Sequence, residues 1–303
     1  MKFNFLSESD QAYFIHKAST LVEALPYIRE HSGKIIVIKY GGHAMGNNLL
    51  SQNFSKDIGL LKEVGINPIV VHGGGPQIGK ILKRKKINSN FVEGLRVTDK
   101  ETVKIVEKVL SKDINNKIVN DIKLSGGKAE GFAGNQKGLI EAKKLEMTVK
   151  DSDSNIEKIL DLGFVGTPTN ININIIKESL SKGNVPVIAP LGIDKAGNTY
   201  NINADTVAGF IAGYLKASKL LLLTDVSGIL DKNKQLISAL NFEDAKIIAN
   251  KDYILGGMKP KILTCIDAID KGVKQATILD GRISHALILE LFTEHGIGTQ
   301  IYS

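Results

Sequence analysis

Two short apolar runs, Lys34–Lys39 (KIIVIK) and Asn67–His72 (NPIVVH), run into glycines, Gly41-Gly42 and Gly73-Gly74-Gly75. Each is followed by a stretch of helical periodicity, Asn53–Val64 and Gln77–Lys85. A continuous apolar run suits a strand buried on both faces, and repeated strand, glycine turn and helix is the pattern of a parallel sheet covered by helices. Further strands are predicted at Val185–Ala189, Leu220–Leu223, Ala276–Leu279 and Thr299–Tyr302, and further helices over Ala204–Tyr214 and Met258–Lys271. Glycines between short apolar stretches predict a hairpin in Lys128–Glu141. The expected fold class is α/β: a three-layer α/β/α sandwich with a largely parallel central sheet.

Ahead of the first strand, Ser7 followed by Asp10 forms a variant capping box. Ile15, Ala18, Val22, Leu25 and Ile28 recur at helical spacing, and Pro26 inside that pattern should kink or divide the helix. The 303 residues suffice for one large α/β unit or two lobes, and turn residues at Gly192–Asn198 mark a candidate boundary. No apolar run approaches the ~20 residues of a membrane-crossing helix, and Met1–Asp10 lacks a signal-peptide pattern. Cys265 is the only cysteine, which excludes an intrachain disulfide and makes the reducing cytoplasm the expected location. The formal net charge of +7 could attract polyanions. Its densest run, Lys80, Lys83, Arg84, Lys85 and Lys86, reads first as a solvated helix face and turn. Neither zinc-finger spacing nor an aromatic RNA-binding signature is present, so no nucleic-acid partner is expected, and no membrane partner.

In an open α/β sheet ligands collect at the carboxyl ends of strands, and glycines there let backbone N–H groups approach a phosphate. Either glycine turn alone could be a tight strand-to-helix connection; two on neighbouring strands favour an anion site. Gly74–Lys80 (GGPQIGK) nearly matches a P-loop, with Leu220–Asp225 as an acidic-strand partner, but Ile81 stands where a magnesium-binding Ser or Thr is required. A dinucleotide-binding reading fails too, because Ile78 replaces the third glycine after Gly73 and Gly75.

Read together, five motifs point elsewhere. Lys39-Tyr40-Gly41-Gly42-His43-Ala44-Met45, His72-Gly73-Gly74-Gly75-Pro76, Gly94-Leu95-Arg96-Val97-Thr98-Asp99, Tyr200-Asn201-Ile202-Asn203-Ala204-Asp205 and Gly256-Gly257-Met258-Lys259-Pro260-Lys261 resemble, in that order, the amino-acid-kinase family, and within it the N-acetylglutamate kinases of the arginine-sensitive type. The resemblance runs from about Ala24 to the C-terminus. It implies phosphoryl transfer from ATP, with Mg2+, to the side-chain carboxylate of N-acetyl-L-glutamate in arginine synthesis. It also implies an acylglutamate-binding lobe over residues 31–192 and a nucleotide-binding lobe over 193–303. Following the family pattern, Lys39 and Lys261 contact the transferring phosphoryl group and Asp205 orients them. Gly41, Gly42, Gly74 and Gly75 line the substrate path, and Arg96 and Asn201 hold the acylglutamate. Thr224, Asp225 and Gly228, with Gly256, Gly257 and Met258, belong to the nucleotide side. Taken singly, Lys39 reads first as a strand end in solvent and Arg96 as a surface ion pair, and Asn201 and Asp205 could be turn and cap residues. The chemistry agrees with the resemblance: a carboxylate with a pKa of about 4.3 is already ionised, so the reaction asks for cations and backbone donors rather than a base. His72 reads as a structural hydrogen-bonder, and no metal ligand is expected among the side chains.

The tail, His285-Ala286-Leu287-Ile288-Leu289-Glu290-Leu291-Phe292 and Gly296-Ile297-Gly298-Thr299, resembles the arginine-sensitive members, which also carry a kinked N-terminal helix, here within residues 1–30. That implies feedback inhibition by arginine and a homohexamer, a trimer of dimers joined through the helix. Glu290 would face the guanidinium and Lys219 the ligand's carboxylate, with His285 and Gly296 beside them. Without the resemblance, a helix and strand completing the core account for the same tail. His43 departs from relatives that carry Asn or Ser. Related kinases of photosynthetic lineages bind a nitrogen-signalling protein, and nothing in this sequence establishes that partner. Three rivals remain open: kinases of related carboxylates such as an N-acylated aminoadipate, aspartate or glutamate; a silent arginine-binding regulator; and a P-loop ATPase acting on nucleic acid.

Overall fold

The computed structural model describes residues 6–150 and 157–303. Helices α1 (Glu8–Glu23) and α2 (Leu25–His31) precede β1 (Ile35–Tyr40). A 3-10 turn over Gly42–Gly46 leads to α3 (Asn48–Glu63), β2 (Asn67–His72), α4 (Gly75–Arg84) and a hairpin of β3 (Phe91–Val92) and β4 (Leu95–Arg96). Then α5 (Lys100–Lys108) passes through a π-helical turn at Val109–Ile114 into α6 (Asn115–Leu124). There follow β5 (Ala129–Ala133), β6 (Ile140–Lys150), β7 (Glu157–Ile171), α7 (Ile173–Ser181), β8 (Val185–Ala189), β9 (Leu191–Ile193) and β10 (Thr199–Asn201). The chain closes with α8 (Ala204–Tyr214), β11 (Lys219–Thr224), β12 (Ala239–Asn241), α9 (Phe242–Ala249), α10 (Met258–Asp270), β13 (Gln275–Asp280), α11 (Ala286–Phe292) and β14 (Thr299–Tyr302).

The central sheet has the order β12-β14-β13-β11-β1-β2-β8-β5. Strands β13, β11, β1, β2, β8 and β5 are parallel; β14 joins antiparallel to β13, and β12 lies parallel to β14. The largely parallel sheet is thus reversed at one edge only. Ile36, Val37 and Ile38 have no exposure, as a strand covered on both faces demands. Alternation sends Ile36, Ile38 and Tyr40 toward Phe54, Ile58 and Leu61 of α3, while Val37 faces the cluster holding Val207 and Ile211 of α8 and Ile262 of α10. Burial of each such side chain contributes about 1.5–3 kcal/mol. Tyr40 and Phe54 stack with ring centroids 3.7 Å apart. A smaller sheet, β10-β7-β6-β9, closes on itself beside the main one. From β1 the chain first builds outward through β2 and later returns on the other side as β11, so the carboxyl end of β1 is the switch point where a ligand crevice opens.

The N-terminal helix divides where Pro26 predicts, with α1 ending at Glu23 and Pro26 in the first turn of α2. Ser7 caps α1 by accepting from the Asp10 N–H. Helix α3 begins five residues earlier than its apolar periodicity suggests, because the Asn47 side chain accepts from the N–H groups of Leu49 and Leu50 and starts the turn there. The predicted hairpin in Lys128–Glu141 is not formed. Ala129–Ala133 pairs parallel with β8 at the sheet edge, and the antiparallel hairpin is β6 with β7. The glycines that suggested a turn serve close packing instead: a Cβ on Gly131 would strike the Asn115 side chain, and one on Gly134 the Leu191 carbonyl. The proposed boundary at Gly192–Asn198 covers the end of β9 and the turn joining it to β10, two strands that pair antiparallel.

Candidate active site

Lys39 lies near the end of β1 and is nearly buried, not in solvent. Its Nζ stands 3.1 Å from Asp205 Oδ1, and the other oxygen of the same carboxylate accepts from Lys261 Nζ at 2.5 Å. Lys39 Nζ also reaches the Leu223 carbonyl, at 3.4 Å, on the adjacent β11. Three elements therefore converge: Lys39 from β1, Asp205 from the first turn of α8, and Lys261 from the first turns of α10. The cap of α8 is Asn203, whose Oδ1 accepts from the Asp205 and Thr206 N–H groups, leaving the Asp205 side chain for the lysines. Burial pushes the Asp205 carboxyl up, but Lys39 and Lys261 more than offset it and hold the group at about 2. Burial lowers the Lys39 ammonium below the usual lysine value, with Asp205 opposing that fall and Lys261 adding to it. Gly41 has a steric reason to lack a side chain, since a Cβ would press within 3.0 Å of the Lys39 ammonium.

A cleft of about 260 Å³ opens beside this triad. Lys39, Gly42, Gly74, Gly75, Arg96, Asn201 and Asp205 all line it, and Asp205 is the only acid among its lining residues. Gly42 takes a left-handed φ of 68° at the start of its turn. A Cβ on Gly74 would collide with Leu110 and Ile114 of the π-helical turn, whereas the position of a Cβ on Gly75 is open space.

Arg96 is 6% exposed, so the surface reading of this residue fails. Its Nη2 donates to the Gly75 carbonyl at 2.9 Å, its Nη1 to the Ser89 hydroxyl, and its guanidinium lies 4.5 Å from the Phe91 ring centre. Among the described residues no carboxylate pairs with it. Asn201 Nδ2 reaches Thr98 Oγ1 at 3.5 Å, and Thr98 in turn donates to the Arg96 carbonyl. Asp99, the last residue of that motif, caps α5 by accepting from Glu101 and Thr102. Sequence reasoning missed Ser89 and Phe91; the signal was a Glu93-Gly94 turn pairing Phe91 with Arg96.

His72 is fully buried at the end of β2, its Nδ1 donating to the Gly73 carbonyl and its Nε2 accepting from Asn115. Burial lowers its pKa to about 4, so it is neutral near pH 7 and ties β2 to α6. The residues expected on the nucleotide side lie outside the cleft lining. Thr224 ends β11, one strand over from Lys39, and its hydroxyl lies 3.3 Å from Asp225. Gly228 has a φ of 150° and faces Thr299, where a Cβ would clash. Gly256, with a φ of 57°, and Gly257 lead into Met258 at the start of α10. Among the described residues no group of three or more His, Cys, Asp or Glu side chains could hold a metal.

A second cleft, of about 490 Å³, lies between α2, the start of β11 and the C-terminal segment. Lys219, Glu290 and Gly296 line it together with Glu30, His31 and Glu294. Glu290 Oε2 accepts from the Ile297 N–H, and Gly296 is confined by a φ of 59° and by Glu290, 2.8 Å from where its Cβ would stand. His285 does not join this cleft; its Nδ1 contacts Asp57 Oδ1 of α3 at 2.6 Å. The side chain of His43 lies outside the described ones.

Residues 34–280 match the model of the amino acid kinase family. The chain is 53% identical over 288 residues to an acetylglutamate kinase of Rhodospirillum rubrum, covering 95% of this chain and 93% of the relative. It is 54% identical over the same length to an acetylglutamate kinase of Rhodospirillum centenum, covering 95% and 94%. Among solved structures, the N-acetylglutamate synthase of Neisseria gonorrhoeae, complexed with coenzyme A and N-acetyl-glutamate, superposes with a TM-score of 0.81 at 24% identity. That match covers 94% of this chain and 63% of the synthase, so the chain spans less than two thirds of that protein. The carbamate kinase of Giardia lamblia bound to AMP-PNP superposes with a TM-score of 0.62 at 14% identity, over 90% and 99% of the two chains. At these identities the two structures bear on the fold alone.

Proposed function

The chain belongs to the amino acid kinase family, and from that premise we propose that it transfers the terminal phosphoryl group of ATP to the side-chain carboxylate of N-acetyl-L-glutamate, a step of arginine biosynthesis. The observation that carries the reading is one buried carboxylate, Asp205, gripping two ammonium groups beside a cleft that also contains the Arg96 guanidinium, which has no carboxylate partner among the described residues. The acceptor is already anionic, so the obstacle is charge: an anion must meet a polyanion, and the moving phosphoryl group must be stabilised. Lys39 and Lys261 supply the counter-charge, Asp205 fixes their spacing, and the N–H groups around Gly41, Gly42, Gly74 and Gly75 line the path. Arg96, whose planar fork suits a carboxylate, and Asn201 hold the acylglutamate end. Thr224, Asp225, Gly228 and Gly256 to Met258 border the nucleotide, in a lobe of residues 193–303 facing an acceptor lobe of residues 31–192.

Magnesium would be held chiefly by phosphate oxygens and water, the oxygen set that ion prefers. Asp205, the acid lining the cleft, is already committed to two lysines, which fits a metal arriving with the nucleotide. No described helix is long and apolar enough to cross a membrane. The free, buried Cys265 and the use of ATP suit work in the cytoplasm. The test is trapping of an acyl phosphate with hydroxylamine. ATP-dependent hydroxamate should form with N-acetylglutamate in preference to glutamate, aspartate, N-acylated aminoadipate or carbamate; preference for another acceptor would reassign the substrate.

The second cleft supports feedback inhibition by arginine. A buried Lys219 and the acids Glu30, Glu290 and Glu294 line it, groups suited to a ligand with a carboxylate and a guanidinium. Helix α1 has no buried residue, and Tyr13, Phe14, Ile15, Leu21 and Val22 are all exposed, a surface suited to joining dimers into a hexamer. Millimolar arginine should raise the acetylglutamate concentration needed for half-maximal rate, and Glu290→Ala should weaken that effect about tenfold or more, as loss of a charged partner does. An unchanged response to arginine would remove the cleft from regulation. Light scattering of a Leu21→Asp, Val22→Asp double variant should report dimers in place of hexamers.

A further inference from the structure

Arg96 reaches the cleft from an unusual support. Strands β3 and β4 are two residues each, joined by Glu93 and Gly94, both left-handed with φ of 48° and 76°. A two-residue turn of this kind matches the natural twist of a hairpin and fixes its register. That register sets Phe91 opposite Arg96, on the same face. The guanidinium carbon lies 4.5 Å from the Phe91 ring centre, while Ser89 and the Gly75 carbonyl take N–H groups at its edge. The planar group is therefore held both by its face and by its rim. Phe91 is 56% exposed, so it adds little to the core, yet it lines the cleft.

An apolar ring left in solvent beside a buried cation has a physical use. The negative face of the ring attracts the guanidinium, and its bulk excludes water from one side of any ion pair that the guanidinium makes. A carboxylate arriving from the cleft then meets a fork already oriented, and loses less in ordering it. We propose that Phe91 is a positioning residue for the acceptor: it orients Arg96 by lying under the guanidinium, and it thereby sets the affinity for the acceptor's carboxylate. Ser89 assists from the rim. This rests on the reading of Arg96 as the acceptor's carboxylate ligand.

The test is a double-mutant cycle on the full-length enzyme, with the KM for ATP as internal control. Phe91→Ala should raise the KM for acetylglutamate roughly 3- to 30-fold, the range of a partly desolvated cation–π contact, with kcat changing much less. Phe91→Tyr keeps the ring face and should restore a KM within about twofold of the parent, whereas Phe91→Leu keeps bulk without the face and should recover only part of the alanine loss. In an Arg96→Lys background, which lacks the planar fork, the alanine change should move the acetylglutamate KM less than about twofold. Titration calorimetry of acetylglutamate reads the same cycle if turnover of that background is too slow. A normal KM in Phe91→Ala, a normal KM in Phe91→Leu, or an equal rise with Lys at position 96 would each overturn the proposal. Failure of the substrate reading is seen separately, as a parent enzyme that ignores acetylglutamate; the cycle is then read with whichever carboxylate the parent phosphorylates.

Discussion

Replacing Lys39 or Lys261 with alanine is expected to lower turnover at saturating ATP and acetylglutamate by about 10²-fold or more, the usual loss on deleting a preorganised donor to transition-state charge. The expectation follows from placement. The two ammonium groups share one carboxylate, and an acid at about 4 Å in an effective dielectric of 20 attracts each by roughly 4 kcal/mol, enough to pin flexible stems. The shared carboxylate carries one negative charge against two positive ones, so Asp205 alone does not neutralise the pair. Binding of substrates draws on many other contacts, so the loss should fall on kcat more than on either KM. Lys39→Met keeps the stem without the charge and should match the alanine variant, which separates charge from packing. The lowered Lys39 pKa adds a pH signature. The ammonium is the active form, so rate should fall on the alkaline side at a pH below the ordinary lysine value of 10.5. Turnover within a few-fold of the parent in either folded variant would remove that lysine from the mechanism.

How much of this was legible in the chain depends on the range of the signal. The strands at Ile35–Tyr40 and Asn67–His72 are written locally, as apolar runs that stop at glycines, and so is the break at Pro26. The β6–β7 hairpin is not: its first strand, IEAKKLEMTVK, is rich in charge and ends without a glycine turn, so its pairing is fixed by the partner strand. Glycines misled wherever they serve a distant neighbour, as Gly131 does for Asn115 and Gly134 for Leu191. The long helical run from Lys100 to Leu124 is likewise absent from the sequence expectations, although Asp99 caps it in the manner that marks helix starts. For the site, position types were legible and convergence was not. Lys39, Asp205 and Lys261 are 166 and 56 residues apart along the chain (205 − 39 and 261 − 205), and no spacing rule brings them together; the resemblance did. Phe91 carries no chemistry alone and acquires a role only once the hairpin sets it against Arg96.

Asp205 carries the largest expected penalty, because its loss affects both stability and rate. Breaking a buried ion pair by deleting one partner costs about 3–5 kcal/mol, since the surviving charges stay buried without compensation. Here two like charges survive, and Asp205→Ala should melt well below the parent as well as losing at least 10²-fold in turnover. Asp205→Asn keeps shape and one acceptor but no charge; it should recover part of the stability and little of the rate. The two surviving ammonium groups would then form an anion site that the parent keeps occupied by its own carboxylate. Sulfate or phosphate should therefore raise the melting temperature of Asp205→Ala more steeply than that of the parent, as linkage requires of a ligand that binds only the folded form. The pH dependence has a definite sign. The folded pKa of about 2 lies below the ordinary 3.8, so Asp205 contributes stability that is fully present above 3.8 and lost as pH falls toward 2. Between pH 5 and 9 the group stays ionised, so it has no proton to donate and is only a weak base; its work is to hold two cations at a fixed separation. A variant at this position with parental melting and turnover would mean that the lysines are placed by something else.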